Sequence, residues 1–299
     1  MSANTGLRFF DFWPNFRTEK NIFQFLSKGL EVNSRIDIYS VYPRAIKRLY
    51  RRLTERFVGK SLSLDSTNLK TYRPRKQTKI WYTAENIRPP FGKDFDFYLS
   101  FDQDSFGGKN IYFPLFYSEL IFRSEDPERE SGIHVFEPEV LTKPRNASID
   151  RPGFVCAFIN NPEPQRLRAI KELSKYGQVD VFGKLTGNPV PTKFEVAKNY
   201  KYMLCFENDL YPGYVTEKLL DAYVCGTVPL YWGLLGNEPY INRDSFINAA
   251  DFQSISDFAS HVSNLSDQEF RAVQCAPLLK AVPSLQVARK ILEEALKTS

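Results

Sequence analysis

Apolar and polar positions along the 299-residue chain follow two periods, and elements can be read from where one gives way to the other. Apolar runs of strand length fall at Leu7 to Trp13, Arg35 to Val41, Lys79 to Thr83 and Phe95 to Phe101. Between the first two, Glu19 to Leu30 carries Ile22, Phe23, Phe25 and Leu26 at helical spacing. Residues 124–152 are rich in Ser, Glu, Pro and Arg and lack apolar periodicity, so they read as a long loop or linker. The alternation then restarts. Gly153 to Ile159 predicts a strand, Gln165 to Tyr176 a helix stopped by Gly177, Val179 to Phe182 a strand and Phe194 to Tyr200 a helix. Met203 to Phe206 reads as a strand, and a loop with Pro212 and Gly213 follows it. From Val215 the residues Leu219, Leu220, Tyr223 and Val224 recur at helical spacing until Gly226 ends the helix. Thr227 to Trp232 is the next buried strand, and Ser284 to Leu296 the last helix.

Repeated β–loop–α units predict α/β domains with a mostly parallel sheet and helices on both faces. Single cores rarely grow past about 250–300 residues, so two domains are expected, with the boundary near residue 150: 1–150 and 151–299. In a parallel sheet, ligands sit beyond the carboxyl ends of the strands, where Glu207, Asn208 and the start of the next helix would lie. With Thr216 as the N-cap, Glu217 and Lys218 occupy the first helical turn. Glutamate suits that place; lysine opposes the helix dipole, by roughly 0.3–1 kcal/mol. Lys218 therefore reads either as a solvated surface lysine or as a residue sharing its site with an anion such as a pyrophosphate.

Composition narrows the field. Hydrophobic residues make up 42% and charged residues 25%, as in ordinary globular proteins. No run of eighteen apolar residues occurs, and Met1-Ser-Ala-Asn-Thr-Gly lacks the basic and apolar regions of a signal peptide. Cys156, Cys205, Cys225 and Cys275 lie in apolar contexts and read as core thiols. With His134 and His261 as the only histidines, a zinc site and a histidine base are both poor fits. Residues 1–150 hold 24 Lys/Arg against 19 Asp/Glu, and the rest is balanced at 16 against 16. Arg44 to Lys60 carries seven basic residues and one acid, with Ile46, Leu49, Tyr50, Leu53 and Phe57 at helical spacing. It predicts a basic amphipathic helix, either packed on its domain or in peripheral contact with a membrane; no recognition motif supports nucleic-acid binding.

The spacing Phe206-Glu-Asn-x5-Tyr214-Val-Thr-Glu217-Lys218, continued by Gly226-Thr-Val-Pro-Leu-Tyr-Trp-Gly233, resembles the signature of the α1,3/4-fucosyltransferases, closest in flavour to bacterial members. The resemblance implies a GT-B architecture, two Rossmann-like domains facing a cleft, with an N-terminal acceptor domain and a C-terminal donor domain. It implies transfer of L-fucose from GDP-fucose, with inversion, to a GlcNAc hydroxyl of an N-acetyllactosamine-type glycan in α1,3 linkage. Residue by residue, it puts Asn208 and Tyr214 in the donor site, Glu217 on the ribose hydroxyls and Lys218 on the diphosphate. Arg166, seven residues before Leu173, matches the family's phosphate-binding arginine, with Arg168 as a neighbour able to share the role. Glu85, in Trp81-Tyr-Thr-Ala-Glu-Asn86, matches the family's Glu-Asn element and is the expected general base. Phe101-Asp-x2-Ser-Phe and Tyr112-Phe-Pro-Leu-Phe-Tyr117 resemble the elements that follow it.

Glu207 belongs to the motif and equally fits a buried structural role. Asp102-Gln-Asp104 looks like a manganese-binding DxD element but lies in the other half from the nucleotide signature, and the family needs no metal for its chemistry. No cofactor is therefore expected. Animal and plant members carry a Golgi anchor; its absence favours a bacterial cytoplasmic enzyme, peripheral at the inner membrane face if the basic helix binds lipid, and a shortened chain is the competing explanation. Two other functions remain open: a related GDP-sugar transferase acting on another surface polysaccharide, and a non-catalytic nucleotide-binding, membrane-associated protein.

Overall fold

The computed structural model describes residues 6–12, 16–18, 20–31, 35–41, 78–83, 86–90, 95–125, 137–146, 150–188, 190 and 192–297. The chain divides into two compact units, Met1–Phe113 with Leu285–Ser299, and Pro114–Ser284. The expected basic helix, Arg44 to Lys60, and the expected base, Glu85, lie outside the described residues.

In the first unit β1 (Leu7–Phe10), α1 (Ile22–Leu26), β2 (Ile36–Tyr39), β3 (Thr78–Tyr82), β4 (Phe97–Ser100) and β5 (Asn110–Tyr112) follow one another along the chain. The strands pair in that order, all parallel. Ile36, Ile38 and Ile80 are buried to 0%, as parallel strands covered on both faces require. Helix α1 is shorter than its apolar pattern, because Asn21 Oδ1 caps Phe23 N and Gln24 N at one end, and the chain turns through Gly29, at φ +76°, at the other. Asp102 and Asp104 have a local task. Asp102 Oδ1 accepts from Asp104 N at 3.1 Å and Asp104 Oδ1 from Phe106 N at 2.8 Å, so successive carboxylates shape the turn into β5.

The second unit holds α2 (Leu115–Glu125), β6 (Gly153–Phe158), α3 (Pro164–Leu173), β7 (Val179–Phe182), α4 (Lys193–Ala197), β8 (Tyr200–Phe206), α5 (Lys218–Val224), β9 (Val228–Trp232), β10 (Ile247–Asn248), α6 (Ile255–Asn264) and α7 (Asp267–Cys275). Its sheet is parallel with order β10-β9-β8-β6-β7. One face presents Val155, Ala157, Leu204, Phe206 and Leu230 to Ala169, Leu173, Phe258 and Val262 of α3 and α6. Each large apolar side chain so buried contributes about 1.5–3 kcal/mol. On the other side α5 packs along β8 and β9.

The packed unit starts well before residue 150. Arg145 donates to the carbonyls of Gln274, Tyr223 and Thr227, and Leu279 N to Leu141 O, which ties the segment read as a linker onto this unit. Helices α6 and α7, capped by Ser254 and by the Ser266–Glu269 capping box, lie where no element was predicted. The last helix, α8 (Gln286–Lys297), returns to the first unit, where Arg289 donates to Leu26 O and Lys28 O at 3.1 and 2.8 Å, satisfying carbonyls at the end of α1. Among the described residues no helix is long and apolar enough to cross a membrane.

Candidate active site

The strand order of the second unit fixes where a site can form. From β6 the chain goes to β7 on one side, then crosses to β8 on the other. The carboxyl ends of β6 and β8 are therefore a topological switch point, where the loops leave in opposite directions and open a crevice. The first sheet, in simple sequential order, has no such reversal among its described strands.

Arg166 spans this point. It lies in the first turn of α3 after β6, is 7% exposed, and its Nε and Nη2 donate to Phe206 O, the last residue of β8, at 3.2 and 2.7 Å. Nη1 donates to Asn161 O at 2.9 Å, and Nη2 to Asn208 Oδ1 at 2.5 Å. Four of its five N–H groups are thus committed, and among the described residues the fifth has no acceptor. Burial lowers its pKa, opposed by Glu207 and Glu163; a guanidinium stays charged all the same. Arg168, two residues on, is exposed, so the helix turns one arginine inward and the other to solvent.

Glu207 follows β8 and is 1% exposed. Its carboxylate accepts from Thr216 N at 2.9 Å, Thr216 Oγ1 at 2.8 Å, Lys218 Nζ at 2.9 Å and Tyr231 OH at 3.4 Å. Thr216 is not the N-cap expected of it: its hydroxyl is taken by Glu207, and Glu217 holds the cap position without a side-chain bond. Nor is Lys218 a solvated surface lysine. It also donates to Thr216 Oγ1 at 2.8 Å, and its Nζ stands 3.7 Å from Glu217 Oε1. Two of its three N–H groups are committed, and the third has no acceptor within hydrogen-bond distance among the described residues. Burial pulls the ammonium down, but Glu207 and Glu217 outweigh it and hold Lys218 above the ordinary lysine range.

Glu217 is about as exposed as Lys218, 30% against 22%. Burial raises its carboxyl, but Lys218 and Lys193 outweigh this and bring it down to about 2. Lys193, on α4, pairs at 2.7 Å with Asp221, which is buried inside α5. Tyr214 is buried beside these groups, its N–H bonded to Tyr211 O at 3.0 Å.

The structure thus gathers Arg166, Asn208, Tyr214, Glu217 and Lys218 in one unit. Sequence reasoning missed Thr216 and Tyr231 as partners of Glu207, and missed the Lys193–Asp221 pair. Thr216 lay inside the motif and could have been read as a ligand; nothing in the sequence joins Lys193 to Asp221. Two cations each keeping one N–H beyond the protein's own acceptors, beside an ionised carboxylate, can bind a diphosphate with a neighbouring diol.

The model of the glycosyltransferase family 10 (fucosyltransferase) C-terminal domain matches residues 150–273. The α-(1,3)-fucosyltransferase FucT of Helicobacter pylori is 27% identical over 210 residues, 62% of this chain and 44% of that protein. The α-(1,3)-fucosyltransferase 4 of Bos taurus is 30% identical over 207 residues, 64% of this chain and 48% of that protein. The chain spans less than half the length of these relatives. In fold, a crystal structure of an α1,3-fucosyltransferase with GDP-fucose superposes with a TM-score of 0.65 at 18% identity, over 99% of this chain and 93% of that one. Another, with GDP, gives 0.60 at 22% identity, over 91% and 92%. These likenesses extend the expected GT-B class to the two parallel α/β units. The matched domain model and relatives drawn from bacterium and mammal make the part of the chain that holds the switch-point cations similar to the C-terminal domain of glycosyltransferase family 10 (fucosyltransferase).

Proposed function

We propose that this chain transfers L-fucose from GDP-fucose, with inversion, to a GlcNAc hydroxyl of an N-acetyllactosamine-type glycan, forming an α1,3 linkage. The observation that carries the reading is the convergence of Arg166 and Lys218, from two different β–α units, on one switch point with an N–H each to spare. The acceptor oxygen attacks the anomeric carbon as the bond to the diphosphate breaks on the opposite face. The leaving diphosphate gains negative charge, and a cation about 4 Å away at an effective dielectric near 20 contributes about 4 kcal/mol. Glu217, kept ionised by Lys218 and Lys193, suits the acceptor role toward the ribose hydroxyls. Glu85, assigned by its motif, takes the acceptor proton. In this reading the two cationic side chains do the electrostatic work, and no metal ion is required.

One experiment tests these elements. The chain is incubated with GDP-fucose and N-acetyllactosamine, with and without EDTA, and products are read by mass spectrometry and linkage analysis. A fucosylated product linked at GlcNAc O3, formed equally in EDTA, is expected. No product, or product only with another GDP-sugar or acceptor, overturns the substrate assignment. Loss in EDTA with recovery on adding manganese overturns the metal-free step.

A further inference from the structure

Glu207 is engaged beyond what packing needs. Burying a carboxylate costs several kcal/mol even after relaxation, and an apolar residue or a glutamine would fill the same space at lower cost. Here the carboxylate collects two donors from Thr216 and one from Lys218, while the Thr216 hydroxyl accepts a second N–H from the same ammonium. Tyr231 OH, at 3.4 Å, closes the remaining side. An ammonium is tetrahedral, so fixing two of its N–H directions fixes the third.

We propose that Glu207 and Thr216 form a two-acceptor seat that aims the third N–H of Lys218 at a phosphate oxygen of the donor, and that both are therefore positioning residues for departure of the diphosphate. The proposal rests on the donor-site reading above for its kinetic consequence, and on the geometry alone for the seat itself. A purely structural Glu207 predicts something different. Its loss would weaken the fold, donor binding and turnover together. A seat opposes the cation it holds: the carboxylate offsets the charge of Lys218, so removing that charge leaves attraction for an anion intact or stronger while direction is lost. Binding and turnover should then part company.

The test uses Glu207→Gln and Thr216→Val, with Thr216→Ser as the conservative rescue. Three quantities are measured: kcat and KM for GDP-fucose, GDP affinity by calorimetry, and the acetylation rate of Lys218 at about pH 9 by mass spectrometry. Misdirection of a reacting group by about 1 Å costs up to about 100-fold, so kcat should fall by about 10- to 100-fold in both variants. KM and GDP affinity should stay within about threefold of the parent or tighten, and Thr216→Ser should restore turnover. Without Glu207 the ammonium loses the larger of the two carboxylate effects holding its proton, and since each pKa unit is about tenfold in free amine, Lys218 should acetylate about tenfold faster or more. The proposal is overturned if turnover stays within about threefold of the parent, or if turnover and GDP affinity fall together with no change in acetylation. Should Glu207→Gln not fold, Thr216→Val decides, since it keeps the backbone bond to Glu207 and removes the shared hydroxyl. If the parent transfers no fucose at all, the functional reading fails by itself, and unchanged acetylation in the variants still overturns the seat.

Discussion

Arg166→Lys separates charge from geometry at the switch point. The parent guanidinium gives two N–H groups to Phe206 O, one to Asn161 O and one to Asn208 Oδ1. These acceptors lie at both ends of the fork, with Nη1 serving Asn161 and Nη2 serving Asn208. An ammonium offers three N–H groups from one atom and reaches one end only. At least two hydrogen bonds are lost, at about 0.5–1.5 kcal/mol each, and one buried carbonyl left unpaired adds roughly 1–3 kcal/mol. The expected destabilisation is about 2–6 kcal/mol. For a unit of this size, each kcal/mol shifts the melting temperature by about 2–4 °C, so the transition of the second unit should fall by roughly 4–24 °C in calorimetry. Because charge is retained, GDP should still raise the melting temperature, by less than in the parent. Fucose transfer should drop by about 10- to 100-fold, since a single charge does not reproduce two directed bonds. If the variant melts within about 2 °C of the parent and transfers fucose within about threefold, the fork is not what the site uses.

Gly233→Ala should destabilise by about 1–3 kcal/mol through overpacking, because a Cβ there would lie 2.5 Å from Cζ of the fully buried Tyr231; a urea midpoint equal to that of the parent would refute it. Glu217 gives a pH dependence with a defined sign. Its folded value, about 2, lies below the unfolded value of about 4.3, so its contribution to stability is complete above about pH 4.3 and is lost as pH falls toward 2. The urea midpoint should decline through that window and decline less in Glu217→Gln; equal slopes would remove Glu217 from the account. Glu85→Gln should cost about 10²–10⁴ in acceptor-dependent transfer while GDP still raises the melting temperature as in the parent. Transfer within about threefold of the parent would send the search for the base to Asp102, Asp104 and Glu119.

The legible part of the second unit was the part governed by local rules. The runs forming β6, β7 and β9 were bounded by residues that stop elements, and Gly226, at φ +76°, ends α5 where the pattern placed its stop. Between Lys193 and Phe206 the pattern misjudged the handover, because Tyr200 looks helical by spacing but starts β8, its hydroxyl held by Asp180 across the sheet at 2.8 Å. The candidate site was legible in its residue types and not in its wiring. Arg166 was identified, but its main partner is a backbone carbonyl, which carries no sequence signal. Thr216 fitted the local rule for a helix cap; a carboxylate nine residues earlier competed for the same hydroxyl and won.

The return of α8 to the first unit sets an order of events during synthesis. Domains generally fold as units, the N-terminal one first as the chain emerges. Here the second unit is contiguous, Pro114–Ser284, and all of it has been made before Leu285 is added, whereas the first must wait for the helix whose Arg289 closes the end of α1. The half translated first is thus completed last, and until then α1 has to persist without the helix that packs against it. Residues 286–297 accordingly act as a late fastening for α1, and a stop codon that removed them would be felt at that helix while leaving the second unit able to assemble.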